Sequence, residues 1–227
     1  MIRLGITGTD TGVGKTVITA GLTAWLRQQG LNAVAMKPVE TGGAAEDAVV
    51  LREASGNSAT LDDIAPIRFD LPLAPAVAAR FAGSPIDVNQ LDKQFADLAK
   101  DRDAILVEGA GGILVPLQGR MSYAGLFRRW DLRLVIVAQN RLGVINHTVL
   151  TATAARNAGL EIAAIVVNDV PTAAEDPSRA SNRDMIEELI DDVSVLSFPT
   201  VANPRDISLL ASCVESTGLG ALILDRK

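Results

Sequence analysis

Three short runs limit the possible folds more than any other feature: Ala104-Ile105-Leu106-Val107, Leu134-Val135-Ile136-Val137 and Ala163-Ala164-Ile165-Val166-Val167. Each is apolar at every position, so neither face of the segment can meet water. Runs of this length without polar alternation are expected of strands covered on both sides. Residues 2–7, Ala33–Met36 and, late in the chain, 193–197 also read as strands. Between them lie segments with helical spacing. Residues 16–29 are closed by Gly30, and Glu46–Ala54 carries acids in its first turn, where the helix dipole favours them. Residues 87–100 have Asp87 as N-cap, 146–158 end at Gly159, and 180–189 precede the last strand. Apolar strands alternating with helices predict an α/β fold: one domain over residues 1–227, with a mostly parallel twisted sheet of about seven strands flanked by helices on both faces. No internal repeat is visible, and residues 170–183 are the most loop-like stretch.

The segment Gly8-Thr9-Asp10-Thr11-Gly12-Val13-Gly14-Lys15-Thr16 joins the first strand to the first helix, the context in which a phosphate-binding loop is credible. Glycines let successive backbone N–H groups curl around phosphate oxygens. The helix N-terminus adds positive potential, Lys15 neutralises β/γ oxygens, and Thr16 offers a hydroxyl to Mg²⁺. The usual spacing puts a glycine five residues before the Gly-Lys pair. Here Thr9 holds that position and Gly8 lies one earlier. The bland alternative is a glycine-rich turn with a solvated lysine.

Two further strand ends carry chemistry. Lys37 follows the strand Ala33–Met36 within Lys37-Pro38-Val39-Glu40-Thr41-Gly42, and Glu108 opens Glu108-Gly109-Ala110-Gly111-Gly112 after Val107. In an open α/β sheet the carboxyl ends of the strands line the ligand crevice. Three strand ends therefore deliver two lysines and a carboxylate to one place. Asp47 could equally be a simple helix-start acid.

Together with Gly8–Thr16, these motifs resemble the dethiobiotin synthetases, as do Leu142-Gly143-Val144-Ile145-Asn146-His147 and Val167-Asn168-Asp169. The resemblance runs in order from residue 5 to about residue 170. It implies that Gly12, Val13, Gly14, Lys15, Thr16 and Val17 cradle the phosphates of ATP, the co-substrate, and that Thr16, Asp47 and Glu108 hold Mg²⁺. Lys37, with Lys15, would be catalytic, and Thr41 would touch substrate. Gly109, Ala110 and Gly111 would lie by the nucleotide, Gly111 also by the diamine. Asn146 would help hold the substrate's carboxylate tail near a subunit interface, implying a homodimer. Asn168 and Asp169 would read the adenine, with Pro199, Thr200 and Val201 beside the base. Arg205 falls where the family often carries an acid that helps hold the nucleoside.

The implied reaction joins 7,8-diaminononanoate, CO₂ (or bicarbonate) and ATP into dethiobiotin, ADP and phosphate, through a carbamate and a carbamic-phosphoric anhydride. The sequence speaks against three rival readings. A partitioning-type ATPase switch carries a lysine two residues before Gly12, where this chain has Asp10. A cobyrinate-type amide synthetase needs a glutaminase domain for which 227 residues leave no room. A nucleotide-binding module without catalysis would show no diamine-dependent phosphate release.

Composition sets outer bounds. Hydrophobic residues form 48% of the chain and aromatics 4%, so the core must be built mainly from Ala, Val, Leu and Ile. A net charge of -6 argues against a nucleic-acid partner. A single cysteine, Cys213, precludes an intrachain disulfide and reads as a small buried apolar residue. The lone histidine, His147, reads as structural, and the pair is too few for a zinc site. No targeting segment is expected, nor any run near the roughly 18 apolar residues of a membrane span, so the expected location is cytoplasmic without membrane partners.

Overall fold

The structure, a computed structural model, describes residues 1–43, 46–171 and 175–225. In chain order the elements are β1 (Ile2–Gly8), α1 (Lys15–Gln28), β2 (Ala33–Met36), β3 (Val39–Thr41), α2 (Glu46–Ala54), α3 (Leu61–Ile64), β4 (Ile67–Phe69), α4 (Pro75–Ala82) and α5 (Val88–Ala99). There follow β5 (Ala104–Gly112), β6 (Pro116–Gln118), β7 (Met121–Ser122), α6 (Tyr123–Arg129), β8 (Arg133–Gln139), α7 (Val144–Asn157), β9 (Ile162–Asn168), α8 (Asn182–Leu189), β10 (Val195–Phe198), α9 (Ile207–Thr217) and α10 (Leu219–Asp225).

The fully apolar runs form a six-stranded parallel sheet in the order β10-β9-β8-β1-β5-β2. The sequence led us to expect about seven strands. Every strand segment read from the sequence joins the sheet, which holds six strands rather than about seven, and the chain beyond Pro38 does not enter it. β3 instead pairs with β4 in a separate two-stranded parallel piece, and β6 with β7 forms a small antiparallel hairpin. The direction of strand order reverses at β1, so the carboxyl ends of β1, β5 and β2 open on one crevice.

Strand polarity explains the burial. Leu4, Ile6, Val107, Ile136 and Val166 are all inaccessible to solvent, as a sheet with covered faces requires. One continuous cluster of buried apolar side chains runs through the described residues. α6 lies close on its face of the sheet because Gly5 has no side chain: a Cβ there would stand 2.9 Å from Phe127 Cδ2. Asp87 caps α5 as expected, accepting from the N–H groups of Asn89 (2.9 Å) and Gln90 (3.3 Å).

Two expectations need correction. Cys213 is half-buried, because α9 turns Leu210, Ala211 and Val214 into the core and leaves residue 213 beside that stripe. The loop-like stretch 170–183 is partly ordered: Pro177–Ala180 form a 3-10 turn capped by Asp176, and α8 starts only at Asn182. Residues 172–174 of that stretch lie outside the described ones. Among the described residues no single helix is long and apolar enough to cross a membrane. The α9–α10 pair passes on length and composition only as a unit bent by 67°.

Truncating the buried ring that seats α6 tests this packing. Phe127→Ala should lower unfolding stability by about 3–5 kcal/mol in urea titrations. A loss under about 1 kcal/mol would show that the α6 contact is dispensable.

Candidate active site

The loop between β1 and α1 is shaped by two glycines in left-handed backbone, Gly12 (φ 75°) and Gly14 (φ 96°). Gly14 is constrained twice over, since a Cβ added there would lie 2.1 Å from Asn168 Nδ2. That amide is buried and donates to the Val13 carbonyl at 2.9 Å, tying the end of β9 to the loop. The α1 N-terminus has neither a side-chain cap nor an acid in its first turn, so its backbone donors remain for an anion. Lys15 folds back along the loop and donates to the Asp10 carbonyl at 2.9 Å. Burial lowers its pKa from the ordinary lysine value, while Glu108 works the other way.

The ends of β2 and β5 meet this loop. Glu108 is fully buried, and its Oε1 accepts from Thr16 Oγ1 (2.9 Å) and from Lys37 Nζ (2.9 Å). Lys37, 5% exposed, also donates to Asp47 Oδ2 from the first turn of α2. Burial opposes the charge of Lys37, but Glu108 and Asp47 outweigh it and raise its pKa, which keeps the side chain an ammonium. The other oxygen of Glu108, Oε2, is buried without a partner among the described residues.

These groups line a cleft of about 530 Å³. Of the residues singled out from sequence, Gly12, Gly14, Lys15, Thr16, Lys37, Thr41, Asp47, Glu108, Ala110 and Gly111 face it. Gly109 lies behind, where a Cβ would be 3.3 Å from the Tyr123 ring, and Val13 and Val17 pack into the core. Asp169 lies at the end of β9. Its side chain accepts from Asn140 (2.9 Å) and Arg179 (2.8 Å), and its carbonyl accepts from Thr200 Oγ1 (2.8 Å), which places residues 199–201 next to it. Asn146 and His147 are exposed in the first turn of α7, away from the cleft lining. Arg205 turns to Glu46, 2.9 Å away on the surface.

Sequence reasoning missed three contributors. Pro72 to Pro75 wall one side of the cleft, and their Pro-Leu-Ala-Pro spelling was the available signal. The Asp10 carbonyl anchors Lys15, a backbone role with no residue signature. Glu40 lay inside a quoted motif, and its Oε1 accepts from the N–H of Asp47 at 2.9 Å.

Gly14→Ala should weaken nucleotide binding at least about tenfold by calorimetry with circular dichroism unchanged, because the methyl displaces Asn168 and strains a positive φ. An unaltered dissociation constant would show that this loop geometry does not govern binding.

Comparison with known proteins bears on this geometry. A family model described as an AAA domain matches residues 3–203. The ATP-dependent dethiobiotin synthetase BioD of Aquifex aeolicus is 41% identical over 229 residues, covering 99% of each chain. That of Bacillus subtilis is 34% identical, covering 96% of each. Among solved structures, a ParA family ATPase from Chlorobium tepidum matches with TM-score 0.53 and 18% identity, over 100% of this chain and 98% of its own, a likeness of fold alone. At this identity and coverage, the chain belongs to the ATP-dependent dethiobiotin synthetase family.

Proposed function

We propose that the protein makes dethiobiotin from 7,8-diaminononanoate, CO₂ and ATP, releasing ADP and phosphate, in the biotin pathway. The observation that carries this reading is the shared oxygen of Glu108, which joins Thr16 of the phosphate loop to Lys37 in one cleft. A switch ATPase has no evident use for Lys37 there, and the likeness to ParA is one of fold.

The chemistry needs an anion held against a triphosphate. One amine of the diamine adds to CO₂, losing a proton, to give a carbamate. Its oxygen attacks the γ-phosphorus as the bond to the β-bridging oxygen breaks and ADP leaves. The second amine then attacks the carbamoyl carbon, closing the cyclic urea and expelling phosphate. Phosphoryl transfer calls mainly for positioning and charge neutralisation. Lys15 neutralises the phosphates from the loop, and Lys37, poised between two carboxylates, bridges carbamate and γ-phosphate. Thr41 and Gly111 contact the diamine from the cleft wall. Asn168 and Asp169, with residues 199–201, form the adenine side.

The donor set suits Mg²⁺. Thr16, Asp47 and Glu108 offer hard oxygens, and Glu108 Oε2 lacks a partner. Bound there, the ion would neutralise charge on the β and γ oxygens.

The same reading implies a homodimer, with Asn146 holding the substrate's carboxylate tail near the subunit interface. The α7 end supports this: Leu142 is 79% exposed and Leu150 59%. It also implies a cytoplasmic enzyme folded as one domain, in keeping with its continuous core and lone cysteine.

Three experiments follow. Phosphate release should depend on diaminononanoate and bicarbonate, with dethiobiotin found by mass spectrometry. Lys37→Gln should reduce turnover by about 10³-fold or more, roughly 4 kcal/mol of barrier, in a folded protein. Diamine-independent hydrolysis without cyclic urea would reverse the assignment, and an unimpaired variant would remove Lys37 from the mechanism. For the dimer, Leu142→Asp combined with Leu150→Asp should give a monomer by light scattering. A dimer surviving both changes would place the interface elsewhere.

A further inference from the structure

Glu40 is the one charged side chain of the Lys37–Gly42 motif's interior that the reaction does not use. It sits on β3 and is 6% exposed. Its pairing neighbour across the strand, Arg68, spends its guanidinium on Asp62 and on the carbonyls of Leu61 and Ala65. Glu40 instead turns its Oε1 to the first turn of α2, accepting from the N–H of Asp47 (2.9 Å) and of Ala48 (3.4 Å). Its Oε2 is buried with no partner among the described residues.

A helix start needs acceptors for its free N–H groups, and the usual source is a Ser, Thr, Asp or Asn just before it. The residues ahead of α2 are Gly42-Gly43-Ala44-Ala45, none of which has a side chain able to accept. The cap is therefore delivered from another element, by the Oε1 acceptor of Glu40. Burying a carboxylate with one oxygen unsatisfied is costly, and an ordinary Asp at the N-cap would give the same local hydrogen bond more cheaply. What Glu40 adds is a link between elements: Lys37 lies three residues before it on the same segment, and its hydrogen bonds fix the backbone of Asp47, whose carboxylate meets Lys37.

We infer that Glu40 is a positioning residue that clamps the first turn of α2 to the Lys37 segment and so aims the Asp47 carboxylate at the metal and Lys37. The inference rests on the Mg²⁺ reading of Thr16, Asp47 and Glu108. Partners that orient a metal ligand typically matter by 10–100-fold in metal affinity.

The test uses Mn²⁺ as the probe, titrated by electron paramagnetic resonance into the full chain holding a stoichiometric β,γ-imido analogue of ATP. Glu40→Ala should weaken Mn²⁺ binding about tenfold or more while leaving nucleotide affinity in EDTA unchanged. Glu40→Gln keeps an acceptor oxygen and should stay within about threefold of the wild type, which a role for the charge itself would not allow. Wild-type Mn²⁺ affinity in Glu40→Ala, or equal weakening in both variants, overturns the inference. Should Glu40→Ala fail to fold by circular dichroism, Glu40→Met, which fills the space without an acceptor for the Asp47 and Ala48 N–H groups, takes its place: a tenfold loss beside a retained Gln variant upholds the clamp, and wild-type affinity rejects it. A wild-type chain that takes up no Mn²⁺ removes the metal reading and the clamp together, whereas normal wild-type uptake with indifferent variants rejects Glu40 only.

Discussion

A carboxylate with no solvent exposure, Glu108, is the point on which the site depends. Left alone in an apolar interior, an ionised carboxyl costs several kcal/mol. Here one of its oxygens is met by the Thr16 hydroxyl and the Lys37 ammonium, each at 2.9 Å. Three separate strand ends are thereby held in register, since Thr16 follows β1, Lys37 follows β2, and Glu108 lies in β5. Buried ion pairs of this kind rarely raise stability above that of a well-packed apolar substitute. The cluster makes more sense as a preorganised device: charges fixed in a cleft, needing little reorganisation when an anionic substrate arrives.

The fold supplies that placement by ordinary means. Apolar strands demand cover on both faces, the cover demands crossover helices, and the crossovers bring loops to the carboxyl ends of the strands. Around β1, where strand order reverses, the phosphate loop and the Glu108 strand are neighbours by hydrogen-bond register, with Ile6 opposite Glu108 and Gly8 opposite Gly112. The register shifts between these two pairs, and that irregularity lies beside the glycine-rich end of β5.

Legibility in the sequence followed the physics of each signal. β2 and α2 were readable to the residue because Pro38 closes one and two acids open the other. The buried strands were readable but too short at their ends: β5 continues to Gly112, where glycines carry no hydrophobic signal. β3, β4, β6 and β7 are two or three residues long, below any periodicity, and α4 and α6, at eight and seven residues, span about two turns, too few for helical spacing to stand out. In the site, side chains with charge at strand ends stood out, as Lys37 and Glu108 did. Glu40 did not, because its partners are backbone N–H groups of an element further along the chain. Residues beyond this cleft, such as Asn146 on an exposed helix start, were assigned from resemblance alone.

The proposed reaction turns on a carbamate oxygen attacking the γ-phosphorus beside Lys15 and Lys37. The direct measurement is a single turnover in ¹⁸O-labelled CO₂, with the released phosphate analysed by mass spectrometry. Transfer of one label from CO₂ to phosphate per dethiobiotin formed is the predicted result. Dethiobiotin formed alongside phosphate that carries no label from CO₂ would contradict it.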